Sequence, residues 1–252
     1  MLHSYSRLEL GIGSDALEKL KNSTVMILGI GGVGSYAVEA LARSGVGRLI
    51  LVDKDDIDVT NINRQIHALH STIGQVKVTL MKERVIAINP QAKVVALHMF
   101  FNEDTLETVF SYQPDYIIDA IDTMESKILA ITEARERGIP LISSMGAANK
   151  LDPTQWMVTD ISKTFMDPVA KIIRQKLKKL GIEKGVKVVF SPEKPLAPEK
   201  ELYDTIGKQE SEIRKERIPP SSNAFVPSFA GMLLASAVIQ DLIEWDTAIN
   251  GG

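Results

Sequence analysis

A glycine-rich turn with the sequence GIGGVG occupies residues 29–34, between an apolar run and a helical pattern. The apolar run, residues 24–28, has the length and composition of a buried strand. After the turn, Val33, Ala37 and Leu41 recur at helical spacing and predict an amphipathic helix. A glycine turn between a strand and a helix brings free backbone N–H groups and the positive end of the helix dipole to one point. The sequence therefore predicts a nucleotide-binding α/β fold, which serves ATP-dependent enzymes and NAD-dependent dehydrogenases alike.

The alternation of strand and helix continues beyond this turn. Apolar runs predict strands at residues 48–53, 93–98, 116–120 and 140–144, and helical patterns cover residues 75–88 and 124–137. Repeated strand–helix–strand order predicts a doubly wound, mostly parallel Rossmann-like sheet. Additional C-terminal strands and helices are predicted at residues 156–159, 167–180, 186–190 and 224–240.

The length of 252 residues and a hydrophobic fraction of 44% fit one folded domain. We expect residues 1–150 to form the nucleotide-binding core and residues 151–252 to serve substrate binding and dimerisation. Residues 191–223 are polar and rich in proline, and predict a long flexible loop. The uncharged stretch at residues 224–240 is shorter than the roughly 20 apolar residues that cross a bilayer, so a buried helix is favoured over a membrane segment.

Charge and cysteine content exclude several classes of function. The net charge of −3 means that any contact with nucleic acid must come from a local basic patch. The chain contains no cysteine, which excludes disulfides, zinc–cysteine sites, iron–sulfur clusters and a catalytic thiol. The first residues, MLHSYSRLELG, contain no apolar segment of the secretory type, so we expect a cytoplasmic location.

Polar residues that follow the predicted strands form a candidate site. Asp53 ends the second strand, where an acidic group commonly binds ribose hydroxyls, and Asp122 follows the fourth strand. Arg64 and Lys77 add two cations, which hydride transfer does not require but cleavage of a triphosphate does. An aspartate in such a site can hold Mg²⁺. Taken singly, Lys77 is also compatible with a solvated helix residue, and Asp122 with a helix cap.

The motifs GIGGVG, LVDKDDI, TNINRQ, GQVK and DAID together resemble the ThiF/MoeB/HesA adenylating superfamily, relatives of ubiquitin-activating enzymes. This resemblance implies an ATP- and Mg²⁺-dependent enzyme that converts a carboxylate to an acyl-adenylate. It implies a phosphate loop formed by Gly29, Gly31, Gly32 and Gly34, and ribose binding by Asp53. It also implies that Asn61, Arg64 and Lys77 contact the phosphates and that Asp122 binds magnesium. In this family an N-terminal arginine, here Arg7, reaches ATP across a dimer interface.

Two longer segments, TNINRQIHAL and residues 152–168, resemble the tRNA threonylcarbamoyladenosine dehydratase branch of that superfamily. The branch implies a homodimer that acts on tRNA, cyclising threonylcarbamoyladenosine to its hydantoin form with release of pyrophosphate and AMP. Intramolecular ring closure needs no enzyme thiol, which agrees with the absence of cysteine. For the same reason we expect no sulfur-relay partner.

A basic segment supplies the candidate RNA contacts. Residues 163–187 contain eight basic and two acidic residues, and Lys171, Arg174 and Lys178 share one stripe of the predicted helix. These three residues are expected to contact tRNA phosphates, although a solvated helix face has the same pattern. Two further activities remain open: adenylation of the C-terminus of a small sulfur-carrier protein, and a nucleotide-binding scaffold or NAD-dependent oxidoreductase.

Overall fold

Strands and helices alternate through the computed structural model, which describes residues 2–197, 199 and 220–245. In chain order the elements are α1 Ser6–Ile12, α2 Ser14–Asn22, β1 Thr24–Leu28, α3 Gly34–Arg43, β2 Arg48–Asp53, α4 Lys77–Ile88, β3 Lys93–His98, α5 Leu106–Phe110, β4 Tyr116–Asp119, α6 Met124–Glu136, β5 Leu141–Ser144, β6 Met157–Asp160, α7 Pro168–Lys179, β7 Lys187–Phe190 and α8 Val226–Leu242.

The seven strands form one sheet in the order β3-β2-β1-β4-β5-β7-β6. All neighbours are parallel except β6, which runs antiparallel to β7 at the edge. This confirms the predicted doubly wound, mostly parallel sheet with additional C-terminal elements. The chain leaves β1 toward β2 on one side and later returns to β4 on the other, so the switch point of the sheet lies between β1 and β4. Ligands of such sheets bind beyond the carboxyl ends of the strands at this point.

Both faces of the sheet are covered by helices, which explains the continuous apolar runs in the sequence. In β1, Val25 and Ile27 pack toward α3, α4 and α8, whereas Met26 and Leu28 pack toward α5 and α6. All four side chains are fully buried. Burial of each contributes about 1.5–3 kcal/mol relative to exposure. On the second face α7 covers the end of β7 with Ile173 and Leu177.

The buried helix predicted at residues 224–240 is confirmed as α8, which lies against α3. At the crossing, a Cβ on Gly231 would overlap the carbonyl oxygen of Val33, so the two helices approach closely. Its side chains Ala230, Leu234 and Val238 are fully buried in the same core as α3. Among the helices described, none is both long and apolar enough to cross a bilayer.

The structure differs from the prediction at the start of one helix and contains three helices that the sequence did not indicate. The helix predicted at residues 75–88 begins at Lys77, because Val76 is extended and forms an isolated bridge with Asp56. Helices α1, α2 and α5 were not expected. Strands β6 and β7, from the part assigned to substrate and dimerisation, extend the same sheet as the nucleotide-binding core. Of the predicted flexible loop, residues 191–197, 199 and 220–223 have no regular structure, and the remainder lies outside the described residues.

Candidate active site

The glycine turn lies tightly against the end of β4. Gly29 has a φ of +88°, and a Cβ at this position would lie 2.7 Å from the carbonyl oxygen of Ala120. A Cβ on Gly34 would overlap the carbonyl oxygen of Gly29, so glycine is required at both ends of the turn. Helix α3 starts at Gly34, so its N-terminus, with the positive end of the helix dipole, lies at the switch point of the sheet.

Arg64 lies directly beside this turn. Its Cγ is 3.3 Å from the position that a Cβ on Gly32 would take. Its Nη1 donates to the carbonyl oxygen of Thr60 at 2.7 Å and to Oδ1 of Asn63 at 2.9 Å. Burial lowers the pKa of Arg64, with Asp58 opposing the shift, but a guanidinium keeps its charge at neutral pH. A fixed cation thus stands at the glycine turn.

Asp53 links the end of β2 to the turn. One carboxylate oxygen accepts the N–H of Ile30 at 2.6 Å, and the other accepts the N–H of Asp55 at 2.8 Å. Burial raises the pKa of Asp53, and the positive charge of Lys77 and the two hydrogen bonds oppose this shift. The carboxylate therefore sits where the turn begins, as a ribose-binding aspartate requires.

Lys77 is buried at the first position of α4, so it is not the solvated residue that its sequence also allowed. Its side chain is 6% exposed, and its Nζ lies 3.0 Å from Oδ2 of Asp55, whose side chain is 51% exposed. Asn61, also buried, accepts the N–H of Asp58 at 3.1 Å through its Oδ1. The positive charge of Lys77 acts on Asp53, and the backbone N–H of Arg64 donates to the carbonyl oxygen of Asn61 at 3.0 Å, so these groups lie at the same edge of the sheet.

The two aspartates at the end of β4 have different roles. Asp119 is fully buried and pairs with Nζ of Lys127 at 2.8 Å and Oγ of Ser143 at 2.6 Å, which makes it structural. Asp122 is exposed, and it does not cap α6, because the N-cap residue is Thr123. No group of three or more potential metal ligands occurs within the described ranges. Mg²⁺ in nucleotide sites needs only one or two carboxylates, since phosphates and waters complete its shell.

Arg7 lies away from the glycine turn of its own protomer. Its neighbour Tyr5 donates through its hydroxyl to the carbonyl oxygen of Ala42, at 3.4 Å, near the C-terminal end of α3. Helix α3 has ten residues and is therefore about 15 Å long. The structure thus separates Arg7 from the other site residues within one chain.

The basic stripe of α7 is only partly free. Lys171 and Lys178 are exposed, and Lys178 lies 3.5 Å from Glu183. Arg174 is half-buried, and its Nη1 donates to the carbonyl oxygen of Thr164 at 2.6 Å. Arg174 therefore holds the loop before α7, in addition to any contact with phosphate.

Asn63 and Lys150 make contacts near the candidate site that the sequence did not predict. Besides accepting from Arg64, Asn63 donates through Nδ2 to the carbonyl oxygen of Ser222 at 3.0 Å. Lys150 is buried and bonds Oδ2 of Asp167 at 2.8 Å and the carbonyl oxygen of Gly146 at 2.7 Å. The asparagine repeated within TNINR was an available signal for Asn63, whereas nothing local marks Lys150.

The lining of the turn fits a nucleotide. Ser35 Oγ and Gln65 Oε1 are buried and have no hydrogen-bond partner in the part of the chain that the structure describes. Ser35 belongs to the first turn of α3, and Nε2 of Gln65 is 3.9 Å from the position of a Cβ on Gly31. The N-terminus of α3, the cations Arg64 and Lys77 and the carboxylates of Asp53 and Asp122 lie at one edge of the sheet. Together they can bind a triphosphate and stabilise the negative charge on the leaving pyrophosphate.

Comparison with known proteins gives one consistent set of relatives. A model of the ThiF family matches residues 5–251. The chain is 58% identical to tRNA threonylcarbamoyladenosine dehydratase of Bacillus subtilis over 244 residues, 97% of this chain and 96% of the relative. It is 42% identical to the Escherichia coli enzyme of the same name over 74% of this chain and 72% of that one. The E. coli dehydratase solved in complex with ATP superposes with a TM-score of 0.85 at 34% identity, over 99% of this chain and 96% of that chain.

Proposed function

The chain belongs to the ThiF family, and on this premise we propose that it is an ATP-dependent tRNA threonylcarbamoyladenosine dehydratase. The substrate is the threonylcarbamoyl group carried by an adenosine beside the anticodon, and the product is its cyclic hydantoin form. The observation that carries the proposal is the position of Arg64 against Gly32, with Lys77 buried beside Asp53. Its relatives in Bacillus subtilis and Escherichia coli bear the name of this activity.

The reaction has two steps. The free carboxylate of the modification attacks the α-phosphorus of ATP and expels pyrophosphate, which gives an acyl-adenylate. A nitrogen of the same modification then attacks the activated carbonyl carbon, loses its proton and expels AMP. The carboxyl oxygen leaves on AMP, so the modification loses the elements of one water.

The residues of the turn have separate roles in the first step. Backbone N–H groups at the start of α3 bind the phosphates, and Asp53 accepts hydrogen bonds from ribose hydroxyls. Arg64, Lys77 and Asn61 contact the phosphates, and the two cations stabilise the negative charge that develops on pyrophosphate. Asp122 is the residue that would hold Mg²⁺, which when bound neutralises phosphate charge.

The second step needs positioning rather than an enzyme nucleophile. The chain contains no cysteine, so it has no thiol to capture the activated carboxyl group. When two groups of one substrate are held in attack geometry, up to about 7–11 kcal/mol of the barrier is removed. Cyclisation therefore suits this chain better than transfer through a sulfur relay.

The substrate enters past the basic face of α7. Lys171 and Lys178 are exposed there, and Arg174 lies between them on the same stripe. Contacts of these residues with tRNA phosphates would weaken as salt rises. Because tRNA is the substrate, we place the chain in the cytoplasm.

A homodimer explains the position of Arg7. Leu10 on the same helix is 89% exposed, and Phe229 and Met232 on α8 are 50% and 43% exposed. A groove between α1, α3 and α8 is lined by Ile12 and Met232, among others. Pairing of two chains across this apolar face would bring Arg7 of one protomer to the phosphates bound by the other.

A nucleoside assay tests the activity. Protein, ATP, Mg²⁺ and tRNA that carries threonylcarbamoyladenosine are incubated, and the digested nucleosides are weighed by mass spectrometry. The loss of one water is expected. Arg64→Ala and Lys77→Ala should each lower turnover by roughly 10²–10³, as removal of one charge-stabilising donor does. Arg48→Ala and Lys93→Ala, at the opposite edge of the sheet, are the matched controls.

Two results would contradict the proposal. If the tRNA keeps its mass while pyrophosphate exchange depends on a small protein with a Gly-Gly tail, the chain activates a sulfur carrier instead. If both site variants keep normal rates, the ATP site lies elsewhere.

Complementation tests the dimer. Arg7→Ala and Arg64→Ala should each lose most of their activity when assayed separately, but a mixture of the two contains dimers in which one site has both arginines. Random exchange should then restore about a quarter of wild-type activity. A mixture that stays inactive after exchange would contradict action across the interface.

A further inference from the structure

Two apolar side chains, Phe165 and Met166, stand exposed in the loop between β6 and α7. Their exposed fractions are 55% and 56%. Met166 has a φ of +60°, a left-handed conformation that non-glycine residues rarely adopt. A loop that exposes both side chains at the cost of backbone strain is typical of a binding surface. We call these two residues the Phe165 platform.

Hydrogen bonds and a ring contact with neighbouring residues hold the Phe165 platform in place. Arg174 donates to the carbonyl oxygen of Thr164 at 2.6 Å, and the Thr164 hydroxyl donates to the carbonyl oxygen of Ile161 at 2.7 Å. The ring of Phe165 meets the ring of Phe190 edge-on, with centroids 5.7 Å apart and an angle of 72° between the planes. The ring is therefore fixed in orientation while more than half of its side chain stays open to solvent.

The residue that follows the platform fixes its other end. Asp167 accepts the N–H of Ala170 at 2.9 Å as the N-cap of α7, and its other oxygen pairs with Lys150. The carboxylate is thus neutralised and buried, and it adds no exposed negative charge beside Phe165. The exposed charges that neighbour the platform in the chain are those of Lys163 and Lys171, both cations.

The platform adjoins the proposed site. Val169, at the start of α7, has its Cγ2 3.1 Å from the position that a Cβ on Gly146 would take. Gly146 closely follows β5, the neighbour of β4, whose end carries Asp122. The platform therefore lies at the same edge of the sheet as the glycine turn.

We propose that Phe165, supported by Met166, stacks against one unpaired nucleobase of the RNA substrate, while Lys163 and Lys171 contact the flanking phosphates. This inference rests on the proposed function, since it requires an RNA substrate. Bases of an anticodon loop are unpaired, and proteins recognise such bases by stacking on aromatic side chains. A fixed aromatic ring between two cations matches the alternation of base and phosphate along a single strand. An apolar protein partner would not require the two lysines.

The test measures binding of an anticodon stem–loop RNA that carries threonylcarbamoyladenosine. Phe165→Ala should weaken this binding by roughly 5- to 150-fold, the equivalent of about 1–3 kcal/mol per stacked base. Phe165→Tyr should bind within about twofold of wild type, because the ring is retained. Leu180→Ala is the matched control, because it removes a side chain that is 57% exposed at the C-terminal end of α7, away from Phe165. This change should leave RNA binding unaltered. Binding of ATP should be unchanged in all three variants.

A fluorescent base identifies the contact directly. With 2-aminopurine placed in turn at each loop position except the modified adenosine, wild-type protein should change the fluorescence of one position in particular, and Phe165→Ala should abolish that change. Unaltered RNA affinity of Phe165→Ala, or equal losses in Phe165→Ala and Phe165→Tyr, would overturn the inference. These outcomes differ from failure of the proposed function, in which wild-type protein binds ATP but neither binds nor dehydrates the RNA. A protein partner is the occupant instead if Phe165→Ala keeps RNA affinity and activity but loses a partner that wild type retains.

Discussion

Acidification from pH 8 to pH 5 should destabilise the fold through His67. The imidazole is 5% exposed, and neither of its nitrogens has a hydrogen-bond partner within the described ranges. Burial is the largest cause that lowers the pKa of His67 to about 4, and the positive charges of Lys77 and Arg84 lower it further. The native state therefore keeps His67 neutral over a pH range in which the unfolded chain binds a proton.

The sign and size follow from this difference. The imidazole of His67 has a pKa of roughly 6.5 in the unfolded chain. Below this pH the unfolded state binds a proton that the native state does not bind, so the free energy of unfolding falls as pH falls. At pH 5 the loss is about 2 kcal/mol, since each pH unit between the two pKa values is worth roughly 1.4 kcal/mol. Below pH 4 the native state also binds the proton, and the loss levels off at about 3 kcal/mol.

Urea unfolding at pH 8 and pH 5 measures this effect. His67→Met has an unbranched, non-titrating side chain at the same buried position, and His70→Gln removes an exposed histidine three residues away. Wild type and His70→Gln should lose about 2 kcal/mol more than His67→Met between the two pH values. If His67→Met shows the same pH dependence as wild type, the buried imidazole is not the cause and the reasoning is refuted.

Two further changes test the packing that supports the site. Gly231→Ala should lower the free energy of unfolding by about 1–3 kcal/mol, because the new Cβ overlaps the carbonyl oxygen of Val33 and forces α8 from α3; an unchanged midpoint in urea would show that this crossing is loose. Lys150→Met should cost about 3–5 kcal/mol, because it leaves the carboxylate of Asp167 buried without a cation. Thermal unfolding of Lys150→Met beside the exposed change Lys93→Ala checks it, and equal midpoints would contradict it.

The central sheet could be predicted because its signals are local. Strand β1 is buried on both faces, so the four apolar residues that follow Thr24 form one unbroken run, and the glycine turn follows at once. Helix α1 gave no such signal, because none of its residues is buried. The insertion of β7 between β5 and the edge strand β6 also escaped prediction, since strand order depends on how distant elements pack and not on either strand alone.

The same distinction separates the candidate site residues that the sequence could indicate from the contacts that it could not. The glycine turn, Asp53 and Arg64 lie in short motifs, and their residue types point to phosphate and ribose binding. The bond from Asn63 to Ser222 joins residues 159 positions apart, and that from Lys150 to Asp167 joins residues 17 positions apart. No spacing rule predicts such pairs, because the chain between them sets no fixed geometry.

The exposure of the partner carboxylate distinguishes Lys77 from two other buried lysines as a candidate ligand of the ATP phosphates. Three buried lysines at this edge of the sheet pair with carboxylates: Lys127 with Asp119, Lys150 with Asp167, and Lys77 with Asp55. In the first two pairs both side chains are at most 2% exposed, so parting them would leave a buried charge uncompensated, at about 3–5 kcal/mol. The carboxylate of Asp55 is 51% exposed and can turn into water at little cost. Lys77 alone of the three can therefore exchange its carboxylate for a phosphate at little cost, and its charge acts on Asp53 beside the glycine turn, which supports the proposed role of Lys77 at the phosphates of ATP.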